Sequence, residues 1–144
     1  MAKDVNLALI TGATAMAGTG AKGSVVDTEG GFWAMVRMQL GTCTGTTVVV
    51  SVAVQASIDG GSNYYHIGQF PILDESDDDI VIARPVYIPV PASGQTVTKV
   101  RLNTVVSSGS TPVVPVNRAD LEPLVSLGIP AVDKELTEGV EKLV

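Results

Sequence analysis

The stretch from Thr46 to Phe70 constrains this chain more than any other. From Val48 to Ile58 every even position (Val48, Val50, Val52, Val54, Ala56 and Ile58) is apolar, while Ser51, Gln55 and Ser57 fall on odd positions. Successive side chains of a strand point to opposite faces, so this pattern dictates a strand with one buried face. Asp59, Gly60 and Gly61 then supply the positive-φ residues a hairpin needs, and Tyr64 to Phe70 resumes extended chain up to Pro71. Two strands joined at a turn commit the chain to a β-sheet.

Other segments carry the same period. Phe32, Ala34, Val36, Met38 and Leu40 share one face, opposite Trp33, Met35, Arg37 and Gln39. Ile80, Ile82, Val86, Ile88 and Val90 alternate against Pro85, Pro89 and Pro91. Proline donates no ladder hydrogen bond, which assigns that strand to an edge. Thr96 to Val106 reads as a further strand, with Val100, Leu102 and Val106 inward and Lys99, Arg101 and Asn103 outward. Aromatic residues number six, and Val and Ala carry the apolar weight, a sheet composition and not a helical-bundle one. The expected fold is an all-β antiparallel sandwich, jelly-roll-like, with Val36, Met38, Val50, Val52, Val54, Ile82, Ile88, Val100 and Leu102 in its core. A chain of 144 residues suits one such domain.

The two ends read differently. Residues 1–31 hold a short apolar run, Val5 to Ile10, followed by mostly small residues that bury little, and are expected to form a flexible segment. Residues 32–111 are expected to form the sandwich. Residues 112–144 carry too many prolines for a helix and too little alternation for a strand, yet are too apolar to float in water. They predict an extended arm laid along another surface, with Leu121, Leu124, Leu127 and Ile129 as anchors. Asp133 would cap a short final helix that docks through Leu136, Val140 and Leu143.

Chemical motifs are sparse. Thr11-Gly12-Ala13-Thr14 after an apolar run resembles the nucleotide-binding turn of short-chain dehydrogenases, but glycine returns only at Gly18 and Gly20, and no amphipathic helix follows. The acidic run Asp74 to Asp79 lacks the glycine and distal glutamate of a Ca²⁺ loop and reads as a solvated turn. His66 is the only histidine and Cys43 the only cysteine, so neither a metal site, nor a catalytic triad, nor an internal disulfide has its residues. Trp33, Tyr64, Tyr65 and Tyr87 are the candidates for a sugar-stacking platform, with core or interface packing as the plainer role. No catalytic residue, cofactor or metal is expected. Net charge is −6 with no basic cluster, which argues against nucleic acid as a partner. The N-terminus does not read as a secretory signal, and no stretch approaches the ~18 apolar residues of a membrane-spanning helix. Synthesis in a cytoplasm is expected.

The segment Val52 to Gly68, a strand ending in Ser57-Ile58-Asp59-Gly60-Gly61 and restarting on Tyr64 and Tyr65, resembles a hairpin common in small β-sandwich virion proteins of tailed bacteriophages. Head decoration (cement) proteins are among them. The resemblance implies a non-enzymatic structural component of the virion, on the capsid surface, that stabilises the head by binding the major capsid protein or other virion subunits. It also implies a homo-oligomer, a trimer at local three-fold positions. The alternative from the same residues is a carbohydrate- or receptor-binding sandwich module of a tail or baseplate.

Overall fold

A computed structural model describes residues 7–16, 19–43, 49–74, 76–77, 79–108 and 115–124. They form nine strands: β1 (Ala8–Ile10), β2 (Thr14–Ala15), β3 (Gly20–Thr28), β4 (Phe32–Leu40), β5 (Val49–Ser57), β6 (Tyr65–Gln69), β7 (Val81–Ile88), β8 (Thr98–Ser108) and β9 (Pro115–Pro123). One sheet has the order β1-β9-β4-β7, with β2 also paired to β9; the second has the order β3-β8-β5-β6. Every pairing is antiparallel.

The connectivity follows from nested pairing. β5 pairs with β6, β4 with β7, β3 with β8 and β1 with β9, so the chain is one long two-stranded ribbon doubled back at the β5–β6 turn. Successive rungs of the ribbon fall alternately in the two sheets. Rolling it up adds the lateral pairs β4·β9 and β5·β8, which complete the sheets. This is the jelly-roll arrangement.

The core lies between the sheets. Val36, Met38, Val50, Val52, Val54, Ile88, Val100 and Leu102 are fully buried, as the alternation requires. Ile82 is only half-buried, packed against the rim of the core. Ile80 and Val90 are exposed, because β7 begins at Val81 and ends at Ile88 and both lie beyond its ends. β7 is an edge strand, as its prolines require, with Pro85 opposite Met35 of β4. β5 is buried on both faces: Ala53, Gln55 and Ser57 are covered too. At the corner between the sheets, Gly68 of β6 faces Val86 of β7, where an added Cβ would stand 2.5 Å from a Val86 methyl.

The turn at the end of the ribbon spans residues 58–64 and is tied to Asp59. Gly60 and Gly61 adopt φ of 81° and 95°. The Ser57 hydroxyl donates to Asp59 Oδ1 (2.7 Å) and accepts from the Gly61 N–H (2.8 Å). Asn63 donates to the same carboxylate from its backbone N–H (3.0 Å) and its side-chain amide (2.8 Å).

The ends of the chain depart from the sequence expectation. Residues 1–31 are not a loose segment throughout: β1, β2 and β3 belong to the sheets, and Leu9, Ile10, Met16 and Val26 are core residues. The sandwich likewise does not stop at residue 111. Pro115–Pro123, expected in an extended arm, is β9, held between β1 and β4 with Val116, Ala119 and Leu121 buried. Leu121 is therefore a core residue and not an arm anchor. A β-bulge at Asn117 hides this strand: Gln39 pairs with Arg118 and Leu40 with Val116, so inward parity changes within the strand. Leu127, Ile129, Leu136, Val140, Leu143 and the final helix lie outside the described residues.

Two substitutions test this packing. Val52→Asp places an unpaired charge in a dry interface at a cost of several kcal/mol, within reach of the ~5–15 kcal/mol stability of a domain, and should abolish the cooperative thermal transition. Leu121→Ala should cost about 2–5 kcal/mol as a core cavity. A melt unmoved by Leu121→Ala would return β9 to the role of an external arm.

Candidate binding face

The outer face of the β1-β9-β4-β7 sheet is built from residues that the β4 period turns away from the core. Along β4 these are Trp33, Met35, Arg37 and Gln39, opposite Tyr87, Pro85, Ala83 and Val81 of β7 and, from Met35 onward, Glu122, Asp120 and Arg118 of β9. The face is graded: its first rung is aromatic, its second apolar with one acid, and its third and fourth charged.

At the aromatic end Trp33 and Tyr87 are directly opposed, their ring centroids 5.5 Å apart and their planes at 64°. This edge-to-face arrangement lets the positive rim of one ring meet the negative face of the other, a cross-strand pair that contributes about 0.2–1 kcal/mol. Even so, Trp33 is 55% exposed and Tyr87 43%. Ile80, Val81 and Val90, on or flanking the same edge strand, are also exposed, as are Val25, Tyr65, Ile72 and Val105 elsewhere on the surface. Among the described residues, five of the nine exposed large apolar side chains thus belong to β4, β7 or the residues flanking β7, and Trp33 and Tyr87 are the two that meet.

At the charged end Arg37 Nε stands 3.4 Å from Glu122 Oε1, and Arg118 Nε 2.9 Å from Oδ2 of the buried Asp120. Arg37, Gln39, Val81, Arg118 and Asp120 line a hollow of about 130 Å³, well below the roughly 300–1,000 Å³ of sites that enclose a drug-sized ligand. Both guanidinium groups are engaged by carboxylates across neighbouring positions of the sheet.

The remaining sequence candidates are separated from one another. Tyr64 sits on the other sheet with the Arg101 guanidinium 3.7 Å from its ring centroid, and Arg101 Nε donates to Gln55 Oε1 (2.9 Å). Tyr65 and His66 are exposed on β6. A single platform of Trp33, Tyr64, Tyr65 and Tyr87 is therefore not formed; only Trp33 and Tyr87 meet. Gly12 lies in an exposed loop followed by β2 and β3, where a nucleotide-binding turn requires a helix. In the acidic run, Asp74 accepts from the Ser76 hydroxyl and N–H, which hold its carboxyl below the ordinary value, and Thr42 donates to Asp79 (3.4 Å). Cys43 is buried. Among the described residues no cluster of three or more His, Cys, Asp or Glu is placed to hold a metal ion, and no helix is long and apolar enough to cross a membrane. Leu124, named as an anchor from the sequence, is half-buried just beyond β9. The Trp33–Tyr87 pairing was not legible beforehand, because the register between β4 and β7 depends on a 40-residue separation that no local pattern reports.

No family model, curated protein or solved structure matches this chain.

Two outcomes follow from this geometry. Trp33→Ala removes an exposed ring and should lower stability by no more than about 1 kcal/mol; a core-sized loss would place Trp33 in the packing. The turn should leave a pH signature, because the Asn63 amide, the Ser57 hydroxyl and the Asn63 N–H lower the Asp59 carboxyl from 3.8 to about 2. A depressed folded-state value stabilises the fold above the unfolded carboxyl's range and loses that contribution as pH falls through about 2. Melts at pH 5 and pH 2 should therefore converge more closely for Asp59→Asn than for the parent, and the Asp59 carboxyl carbon should titrate in NMR with a midpoint near 2.

Proposed function

We propose that this protein is a non-enzymatic structural component of a tailed-phage particle, a head decoration protein that binds assembled capsid subunits. The observation that carries the reading is the exposed aromatic pair Trp33 and Tyr87 at one end of the outer β4–β7 face of a jelly roll. Aromatic anchors on a rigid sheet bury large area with little side-chain entropy to lose, as a contact between subunits requires. The phage-like hairpin from Val52 to Gly68 supports the same reading and forms the tip of the ribbon. A protein that binds the assembled shell and not free subunits stabilises the shell by mass action, and many equivalent copies add their contributions. The free protein is a homo-oligomer, a trimer in keeping with local three-fold sites, and the residues beyond β9 add contacts to neighbouring subunits.

The exposed pair also favours a second reading. Trp33 and Tyr87 with Glu122 one rung away bring together stacking rings and a carboxylate, the chemistry of a glycan-binding face on a tail or baseplate.

Co-sedimentation with particles lacking the protein separates the two. The parent should pellet with the particles, and Trp33→Ala with Tyr87→Ala should weaken attachment at least about tenfold, the effect of losing central aromatic anchors. Full-strength attachment by that double variant would remove the face from the docking role. Saturable binding of a host polysaccharide, lost in the same variant and without particle attachment, would establish the second reading.

A further inference from the structure

Asp59 does more than close the hairpin turn, because the residue after it is Gly60. Among all Asp and Asn residues of the chain, Asp59 alone is followed by glycine. The backbone nitrogen one residue on can attack an aspartyl side-chain carboxyl and close a succinimide ring, and a glycine nitrogen is the most open to that approach because no Cβ flanks it. The bond that forms joins the Gly60 nitrogen to the Asp59 Cγ. The carboxyl hydroxyl leaves with the amide proton as water, so no oxidant, reductant or cofactor is needed. Water then reopens the ring at either carbonyl, which restores aspartate or leaves isoaspartate, whose main chain runs through the former side-chain carbon.

The folded turn opposes both requirements of that chemistry. Ring closure needs a carboxyl free to rotate toward the Gly60 nitrogen, and it proceeds through the neutral acid, since a carboxylate has no hydroxyl to lose as water. Here Oδ1 accepts from the Ser57 hydroxyl (2.7 Å) and the Asn63 N–H (3.0 Å), and Oδ2 accepts from the Asn63 side-chain amide (2.8 Å). Both oxygens are thus committed to residues on either side of the Asp59–Gly60 bond. The Asn63 amide, the Ser57 hydroxyl and the Asn63 N–H also favour the ionised form and lower the carboxyl to about 2, which leaves little neutral acid near pH 7. We propose that Asp59–Gly60 is a latent isomerisation site, kept closed by Ser57 and Asn63 and converted to isoaspartate once the turn opens. The product carries one extra backbone carbon at the point that sets the β5–β6 register, and its carboxylate is attached directly to the main chain. Conversion therefore releases the tip of the ribbon.

Incubation of the full chain at neutral pH, followed by peptide mapping with electron-transfer fragmentation, reads isoaspartate at residue 59 directly. The parent should form it at least about tenfold more slowly than a free peptide of residues 55–65, because each unit of pKa lowering removes the neutral acid by that factor. Equal rates in chain and peptide would overturn the proposal, and this comparison needs no variant to fold. Asn63→Ala, at an exposed position, should raise the rate severalfold while the thermal transition stays cooperative. Ser62→Ala, in the same turn but outside these hydrogen bonds, should keep the parent rate. An Asn63→Ala rate equal to the parent's, or an equal rise in both variants, would assign the protection to the general order of the hairpin and overturn the proposal.

Discussion

The rest of this structure depends on the register of one hairpin. The turn at residues 58–64 is the innermost of four nested pairings, inside those of β4 with β7, β3 with β8 and β1 with β9. Because strand side chains alternate with period two, a one-residue slip at this turn would send Val50, Val52 and Val54 to the outer face and Ser51 and Gln55 inward. Asp59 guards against that slip. Its carboxylate is engaged by Ser57, the last residue of β5, and by Asn63 at the far side of the turn, so a displaced register would break the hydrogen bonds that close the loop. A polar turn exposed to water thereby fixes which residues reach the dry interior.

The same hairpin explains why the second sheet tolerates a central strand covered on both faces. Inward, β5 presents valines and alanine; outward, it presents Ala53, Gln55 and Ser57, which are short or can hydrogen bond. Longer side chains from neighbouring strands close over them: Arg101 reaches from β8 to bond Gln55 and stack on Tyr64. Burying a polar amide without a partner costs free energy, so the Arg101 contact makes a buried Gln55 acceptable at this position. Cover over β5 is thus supplied by cationic and polar side chains, whereas Trp33, Tyr87 and Val81 of the opposite sheet stay exposed.

What was legible in the sequence, and what was not, has a common physical cause. The clean alternation of β4, β5 and β8 reported both their existence and their buried faces, because each runs without interruption where it was read. In β1, β3 and β9 the period is interrupted by bulges. Between Lys22 and Val26, β3 spends four residues where β8 spends two, from Leu102 to Val100. In β1, Leu9 and Ile10 are consecutive yet both buried, and in β9 the bulge at Asn117 brings Val116 and Leu121 to the same face from an odd separation. A bulge inserts a residue without inserting a rung, so it erases the period that sequence reading relies on. Pro115 and Pro123 at the two ends of β9 reinforced the impression of an arm, although proline is acceptable where a strand begins or ends. The face carrying Trp33 and Tyr87 was hidden for a different reason: parity predicts that each points outward, but only tertiary pairing makes them neighbours.

The edge of the first sheet shows which mode of contact the surface admits. A bare edge strand invites another chain to add to the ladder, and an exposed, apolar β7 would ordinarily be such a hazard. Pro85 removes an N–H from the middle of this strand, and the Arg84 guanidinium turns to the Gln69 carbonyl of β6 (3.2 Å) across the corner where Gly68 admits Val86. Backbone pairing along β7 is therefore obstructed, while the side chains on its outer face remain open. What this face offers is rings and aliphatic groups held on a sheet and not an unsatisfied ladder. Contacts made that way would depend on shape and apolar area and would not propagate into open-ended strand addition, which is in keeping with the role proposed above.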